Sequence, residues 1–302
     1  MASNRPDTLV KYCPTGSAVK ILSTQALRWS APHLSSDPFE LNHQAQLNFD
    51  PHSLLNGAIK AATAMIFAKD APRGSTPLLT AIRRWRDEER FASPEEAEEV
   101  LKELLSQMVD QRQAMIDQTM TDWRKFTRAI RICSFAAKPD NLIAWQHFAN
   151  NHRGVALRFS SVEDSSLTQP MPVEYKNVRP EITTLKEQLT AILHGEKSKP
   201  QDNFYNYLLS KPLFSKEEQE WRCFHTAPDD PGAESSDASQ WFCDRKFEKH
   251  ELSAVYFGAF TPAKDKRDIY DLVKEKYKQT KIFQAKVAHG KYELEFSRIS
   301  TK

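Results

Sequence analysis

Glycine is the residue that most limits what this chain can fold into. Only 8 of its 302 residues are glycine, whereas average proteins contain roughly 7%. At least sixteen other residues separate any two of them, so the chain has no Gly-x-Gly-x-x-Gly fingerprint, no Walker-type phosphate loop and no Gly-x-Ser-x-Gly elbow. The sequence therefore argues against Rossmann dehydrogenases, P-loop nucleotidases, ordinary protein kinases and typical α/β-hydrolases.

The charges nearly balance, since 42 Lys and Arg face 40 Asp and Glu and leave a net charge of +2. This balance predicts no overall attraction to nucleic acid or to an acidic membrane, although it leaves a local basic patch open. The first residues, MASNRPDTLVKY, contain no apolar signal core, and no window approaches the roughly 18 apolar residues of a spanning helix. The four cysteines lie far apart and form no disulfide framework. We expect a soluble cytoplasmic protein without a membrane partner.

The opening residues predict a strand, a short helix and a second strand. These elements cover residues 8–13, 17–24 and 26–30, with a Pro-Thr-Gly turn after the first strand. The tetrapeptide Asp37-Pro38-Phe39-Glu40 follows. Asp at the N-cap, Pro at the first helical position and Glu at the third are typical of a helix start. A functional turn beside a site is the alternative interpretation of this tetrapeptide.

Residues 50–130 are predicted to form a helical module, because their apolar residues recur at helical spacing. Beyond them the sequence predicts strands at 131–135, 155–159, 173–176, 218–224 and 254–257, helices at 142–150, 181–194, 204–209 and 265–279, and two final strands. We therefore expect an α+β fold with a mixed, mainly antiparallel sheet built from both ends of the chain. Residues 1–302 are expected to form a single domain, with residues 50–130 as its helical insertion.

Four blocks of the sequence together resemble a widespread bacterial family of unknown function. They are LVKY…KILSTQALRWSAP…SDPFE, ICSFAAKPDNLIAWQHFANNHRGVALRF, KPLFSKEEQEWRCF and VYFGAF followed by a helix. The chain resembles the bacterial domain-of-unknown-function family 2971, whose pattern these blocks follow over most of the chain. Ser36 stands where that family usually has Asn, and Phe148 where Tyr is common. This resemblance implies no activity.

The opening block is also similar to that of ADP-ribosyltransferases, which have a polar residue on a first strand, a turn, a helix and a second strand. Those enzymes place a catalytic Glu at the head of an alternating strand, as Glu220-Trp221-Arg222-Cys223-Phe224 does here. Glu218 supplies the first acid of a Glu-x-Glu pair. The resemblance implies a split sheet and an enzyme that cleaves NAD and transfers ADP-ribose to a protein or nucleic-acid acceptor. The biological role that the resemblance implies is that of a bacterial toxin or a phage-defence factor.

This resemblance assigns roles to six residues. Glu220 is expected to be the key carboxylate, which binds a ribose hydroxyl and stabilises an oxocarbenium-like transition state, and Glu218 is its partner. NAD, as substrate, is expected to contact Lys11 and Tyr12 on the first strand and Arg28 and Ser30 on the second. No metal is expected in this site.

Three alternatives remain open from the sequence. Glu218 and Glu220 could flank an edge strand, with Glu220 and Arg222 as a surface charge pair. Asp140 with Glu174-x-Lys176 resembles the acidic metal site of a Mg²⁺-dependent nuclease. The chain could also be a non-catalytic module whose helical insertion binds a partner.

Overall fold

The computed structural model describes residues 5–35, 37, 46–167, 169–197, 199–227 and 238–299. The strands are β1 (Thr8–Cys13), β2 (Ala26–Ser30), β3 (Ile130–Ala136), β4 (Val155–Ser160), β5 (Met171–Pro172), β6 (Glu174–Lys176), β7 (Ser210–Pro212), β8 (Glu220–Thr226), β9 (Phe242–Lys246), β10 (Leu252–Phe257), β11 (Lys281–Val287) and β12 (Leu294–Arg298). The α-helices are α1 (Thr15–Thr24), α2 (Pro51–Phe67), α3 (Pro77–Asp87), α4 (Pro94–Ala129), α5 (Leu142–His147), α6 (Leu185–His194), α7 (Phe204–Leu208) and α8 (Ala263–Lys276).

The chain divides into two compact units, each assembled from separate segments. The sheet unit comprises Met1–His43, Thr127–Arg179 and Leu208–Lys302. The helical unit comprises Gln44–Phe126 and Pro180–Tyr207. The helical unit therefore draws on residues 180–207 in addition to the stretch in which the sequence predicts an inserted module.

Among its described residues, the sheet unit contains a ten-stranded sheet whose main path runs β12-β11-β10-β4-β1-β3-β2-β9, with β8 paired to β3 and β5 paired to β8 off this path. Its strand pairs are antiparallel except for β10 with β11. The prediction of a mixed α and β structure with a mainly antiparallel sheet is thus confirmed. A further pair, β6 with β7, is parallel and separate from this sheet.

The sheet forks at β3. Along β3 the continuous partner is β8, which pairs with it from Ile130 to Ala136. In contrast, β1 reaches β3 at the single pair Val10 and Ala136, and β2 reaches it at Ser30 and Ile132. The strands β1 and β2 therefore meet β3 at different points, and Ser134 lies between those points.

Apolar side chains on both sides of the central strands explain this arrangement. In β4, Val155, Ala156, Leu157 and Phe159 have no exposed surface, which is typical of a strand covered on both faces. One face belongs to a large core cluster that includes Ile269 and Val273 of α8. The opposite face carries a smaller cluster around Trp145 of α5. The sheet is thus fixed between two layers where the fork occurs.

The helical unit has its own core, formed by apolar residues of α2, α3, α4 and α6. A complete capping box begins α6, because Thr184 accepts from the N–H of Glu187 while the Glu187 carboxylate accepts from the N–H of Thr184. In α4, Glu95 and Glu96 lie in the first turn, where the helix dipole favours negative charge. No helix in the part of the chain described here is long and apolar enough to cross a membrane.

The structure differs from the sequence prediction at several element ends. The helix predicted for 142–150 ends at His147, because Asn150, Asn151 and His152 all have positive φ. The strand predicted for 218–224 begins at Glu220, since Glu218 ends a 3-10 turn (Leu213–Glu218) and Gln219 is left-handed. The strands β5, β7 and β9 were not predicted from the sequence. In the Asp37-Pro38-Phe39-Glu40 prediction, residues 38–40 lie outside the described residues.

Candidate functional site

A cleft of about 390 Å³ opens at the fork of the sheet unit. It is lined by residues of β1, β2, β3 and β8, together with residues of the turn before β8 and of α5. All six residues that the sequence analysis selected line this cleft: Lys11, Tyr12, Arg28, Ser30, Glu218 and Glu220. Pockets for small ligands measure about 300–1,000 Å³, so this volume suits a small organic molecule.

Two buried cations, Arg222 and Lys211, bind the Glu220 carboxylate in the cleft. Arg222 binds this carboxylate in bidentate fashion, at 2.7 Å from Nε and 3.0 Å from Nη2. Lys211 Nζ donates to Glu220 Oε2 at 3.2 Å, and Ser134 of β3 lines the same cleft. Burial raises the pKa of Glu220, whereas Lys211 and Ser134 lower it. Its side chain is 8% exposed, so these partners replace the water that would solvate the charge.

Glu218 shares Lys211 with Glu220. Its Oε2 lies 2.5 Å from Lys211 Nζ, and its Oε1 lies 3.8 Å from Nδ1 of the half-exposed His147. Burial acting alone lowers the pKa of Lys211, but the charges of Glu220 and Glu218 outweigh it and raise the pKa. Asn141 fixes the backbone here, because its side-chain amide donates to the carbonyls of Glu217 and Glu218.

The cleft residues of β1 have different partners. Lys11 Nζ donates to the Ser134 carbonyl at 2.9 Å and lies 5.6 Å from the ring centroid of Phe135. Tyr12 donates its hydroxyl to the Lys138 carbonyl at 2.7 Å, and burial strongly raises the pKa of this hydroxyl. Lys11 forms no ion pair with another described residue, so its remaining N–H groups can bind a ligand.

The cleft residues of β2 form its rim. Arg28 binds Asp244 of β9 through two bonds of 2.8 Å, and both side chains are 47% exposed. Ser30 pairs with Ile132 where β2 touches β3. Asp37 also lines the cleft. Burial lowers the pKa of Arg222, and the negative charge of Asp37 counteracts this effect. The cleft therefore carries cations at its floor and at its rim.

The interpretation of Glu220 and Arg222 as a surface pair on an edge strand is wrong. Arg222 is 1% exposed, and β8 pairs with β3 on one side and with β5 on the other. The sequence signal for a buried pair was the two-residue spacing, which places both side chains on one face of a strand. Lys211 and Ser134 also line the cleft but were not predicted as site residues. Both stand within blocks that follow the family pattern.

The residues of the nuclease hypothesis do not assemble a metal site. Glu174 and Lys176 bind each other at 2.5 Å with exposed side chains, and neither they nor Asp140 line the cleft. Within the described ranges, no group of three His, Cys, Asp or Glu side chains could hold a metal ion. The geometry gives no support to metal-dependent cleavage at these positions.

Comparison with known proteins bears on the segment that supplies most of the charged cleft residues. Residues 144–223 match the model of a family described as "Protein of unknown function (DUF2971)". This segment includes His147, Lys211, Glu218, Glu220 and Arg222. No curated protein and no solved structure matches the chain. The match confirms the family resemblance stated from the sequence over residues 144–223, where this chain is similar to the domain of unknown function 2971.

Proposed function

We propose that this protein cleaves NAD and transfers the ADP-ribose group to an acceptor, in the manner of an ADP-ribosyltransferase. The observation that carries the proposal is the convergence of six residues, chosen from the sequence for this reaction, on one cleft. They come from three separate stretches of the chain around residues 11, 29 and 219. Because these stretches lie far apart in the sequence, only the fold brings their side chains into one cleft.

The reaction places positive charge on the ribose. The bond between the ribose carbon and the nicotinamide nitrogen breaks, and its electron pair leaves with nicotinamide, which becomes neutral. The ribose passes through an oxocarbenium-like state, which a fixed carboxylate stabilises in a water-poor site. The acceptor then bonds to this carbon and loses a proton. Glu218 and Glu220 supply the negative charge for this step.

The geometry suggests different roles for the two carboxylates. A carboxylate offers about four acceptor positions, and Glu220 already accepts two bonds from Arg222 and one from Lys211. Glu218 Oε1 has no hydrogen bond from the described residues, since His147 is 3.8 Å away. We therefore assign Glu218 as the acceptor of a ribose hydroxyl bond and Glu220 as a fixed charge beneath the ribose.

The remaining cleft residues suit the rest of NAD. The free N–H groups of Lys11 can bind the diphosphate, and Arg28 at the rim can exchange Asp244 for a phosphate oxygen. The ring of Tyr12 and the half-exposed ring of Phe148 offer aromatic surfaces for nicotinamide. An enzyme that consumes NAD in this way fits a bacterial toxin or a phage-defence factor.

The test is nicotinamide release from NAD, together with the shift of thermal unfolding caused by NAD. We expect Glu220→Gln and Glu218→Gln to lower the release rate about 100-fold or more, as loss of one transition-state contact does. Glu174→Gln is the matched control, because Glu174 is exposed and outside the cleft. Wild-type protein that neither releases nicotinamide nor gains thermal stability with NAD would overturn the proposal, as would unchanged release by Glu220→Gln.

A further inference from the structure

Aromatic and cationic side chains lie together on one face of the strands β4, β10, β11 and β12 of the sheet unit. Cross-strand partners lie on the same face of a sheet, as do alternate residues of a strand. Tyr256 pairs with Phe283, and Phe283 pairs with Arg298. By the same rule the face includes further residues of β4, β11 and β12. We call this surface the β11 face: Arg158, Tyr256, Lys281, Phe283, Phe296 and Arg298.

Three aromatic rings form the centre of the β11 face. The ring of Tyr256 lies parallel to that of Phe283, with centroids 4.9 Å apart and 13° between the planes. Phe296 meets Tyr256 edge to face at 5.1 Å. Tyr256 is buried, while Phe283 and Phe296 are half-buried and keep part of their surface open.

Three cations surround these rings. The guanidinium of Arg158 lies 5.7 Å from the ring centroid of Tyr256, and its Nε donates to Ser253. Lys281 and Arg298 are exposed. None of the three forms an ion pair with a described residue. The acid of β12, Glu295, pairs with Lys286 and therefore lies on the opposite face. The β11 face therefore carries three cations, and no carboxylate of β4, β10, β11 or β12 lies on it.

Aromatic rings interleaved with unpaired cations on a sheet fit single-stranded nucleic acid. Bases that are not paired can stack on aromatic side chains, and Lys or Arg beside the rings binds the phosphates. A duplex hides its base faces, and the acidic side chains of a peptide carry no ring that could stack. We propose that the β11 face binds single-stranded DNA or RNA without reading its sequence.

The β11 face and the cleft lie on the same side of the sheet. Val10 pairs with Arg158 in β4 and with Ala136 in β3, and Ala136 pairs with Glu220 in β8. A strand of nucleic acid on the β11 face would therefore run on the side of the sheet that carries the cleft. The binding proposal does not depend on NAD cleavage, because the two sites share none of their residues.

The test is fluorescence anisotropy with labelled 15-nucleotide strands of DNA and RNA, and with the corresponding duplex, over a range of salt. We expect tighter binding of at least one single strand than of the duplex. The double variant Lys281→Ala/Arg298→Ala should weaken binding and lower the salt slope by about 0.7 for each lost phosphate contact. Phe283→Leu keeps an apolar side chain but removes the ring, and should weaken binding about 5- to 100-fold with an unchanged slope.

Lys286→Ala is the matched control, since Lys286 is exposed on the same strand but on the opposite face. It should bind like the wild type, and circular dichroism should show each variant folded. Absence of single-strand binding would overturn the proposal. Equal binding of the duplex, or an equal loss in Lys286→Ala, would also overturn it, because either result would indicate a general charge effect.

Discussion

Replacement of Arg222 by Met tests the assignment of the cleft floor as a buried charge cluster. The substitution removes both bonds to Glu220 and the bond that Arg222 Nη1 donates to the Leu208 carbonyl. Removal of one partner from a buried ion pair typically costs about 3–5 kcal/mol, because the other charge stays buried. Lys211 and Ser134 remain beside Glu220 and do not replace a bidentate cation. We expect the free energy of unfolding to fall by about 3–5 kcal/mol at neutral pH.

The loss of stability in Arg222→Met should depend on pH, because Glu220 can be protonated. Burial already raises the pKa of Glu220, and loss of Arg222 removes a cation and raises it further. A carboxyl group with a raised pKa in the folded state is destabilising when ionised, and this cost disappears as pH falls below that pKa and the group is protonated. The loss of stability in Arg222→Met should therefore be smaller at about pH 5 than at about pH 8.

The assay is urea unfolding followed by tryptophan fluorescence at both pH values. Arg28→Met is the matched control, because Arg28 also binds a carboxylate through two bonds but is 47% exposed. Exposed pairs contribute about 0–1 kcal/mol, so this variant should unfold close to the wild type. Equal destabilisation by the two substitutions would refute the reasoning, as would a loss in Arg222→Met that grows toward acidic pH.

Three further predictions concern two glycines and one helix cap. Gly258→Ala should destabilise the sheet unit by about 1–3 kcal/mol in thermal unfolding, since a Cβ there would lie 2.2 Å from the His152 carbonyl oxygen. Gly16→Ala, in a helix with nothing within 4 Å of the new Cβ, should instead stabilise by up to about 1 kcal/mol, and destabilisation there would contradict this explanation. Thr184→Ala should lower the stability of the helical unit by about 1 kcal/mol through loss of its capping box. Faster hydrogen exchange at the start of α6 should accompany it, and unchanged exchange would count against a capping role.

The sequence predicted those elements whose side chains repeat regularly. Alternation predicted β1 and β2 with the observed ends, and it located β4 to within one residue. It could not predict β9, because Phe242–Lys246 lies at a sheet edge and is largely polar. Alternation also could not show that Glu218 lies outside the strand. Gln219, between Glu218 and Glu220, has a left-handed backbone, but glutamine is not a residue type that indicates this conformation.

The cleft was only partly predictable for a similar reason. Glu220, Glu218, Lys11 and Tyr12 were found because each belongs to a short local pattern. Lys211 stands nine residues before Glu220 and meets it only because β7 and the following 3-10 turn fold back. Contacts of this kind depend on turns, and turn geometry leaves a weak signal in a single sequence.

The pairing of β2 with β9 also affects the order in which the sheet can form during synthesis. The main partner of β2 is β9, about 200 residues further along the chain, and a ribosome that adds about 5–20 residues per second needs roughly 10–40 s to supply it. Until then β2 has an unpaired edge, which is a template for pairing with other chains. Nascent chains that stop before Phe242 should therefore depend on chaperones, and folding of the cleft should be completed only late in translation.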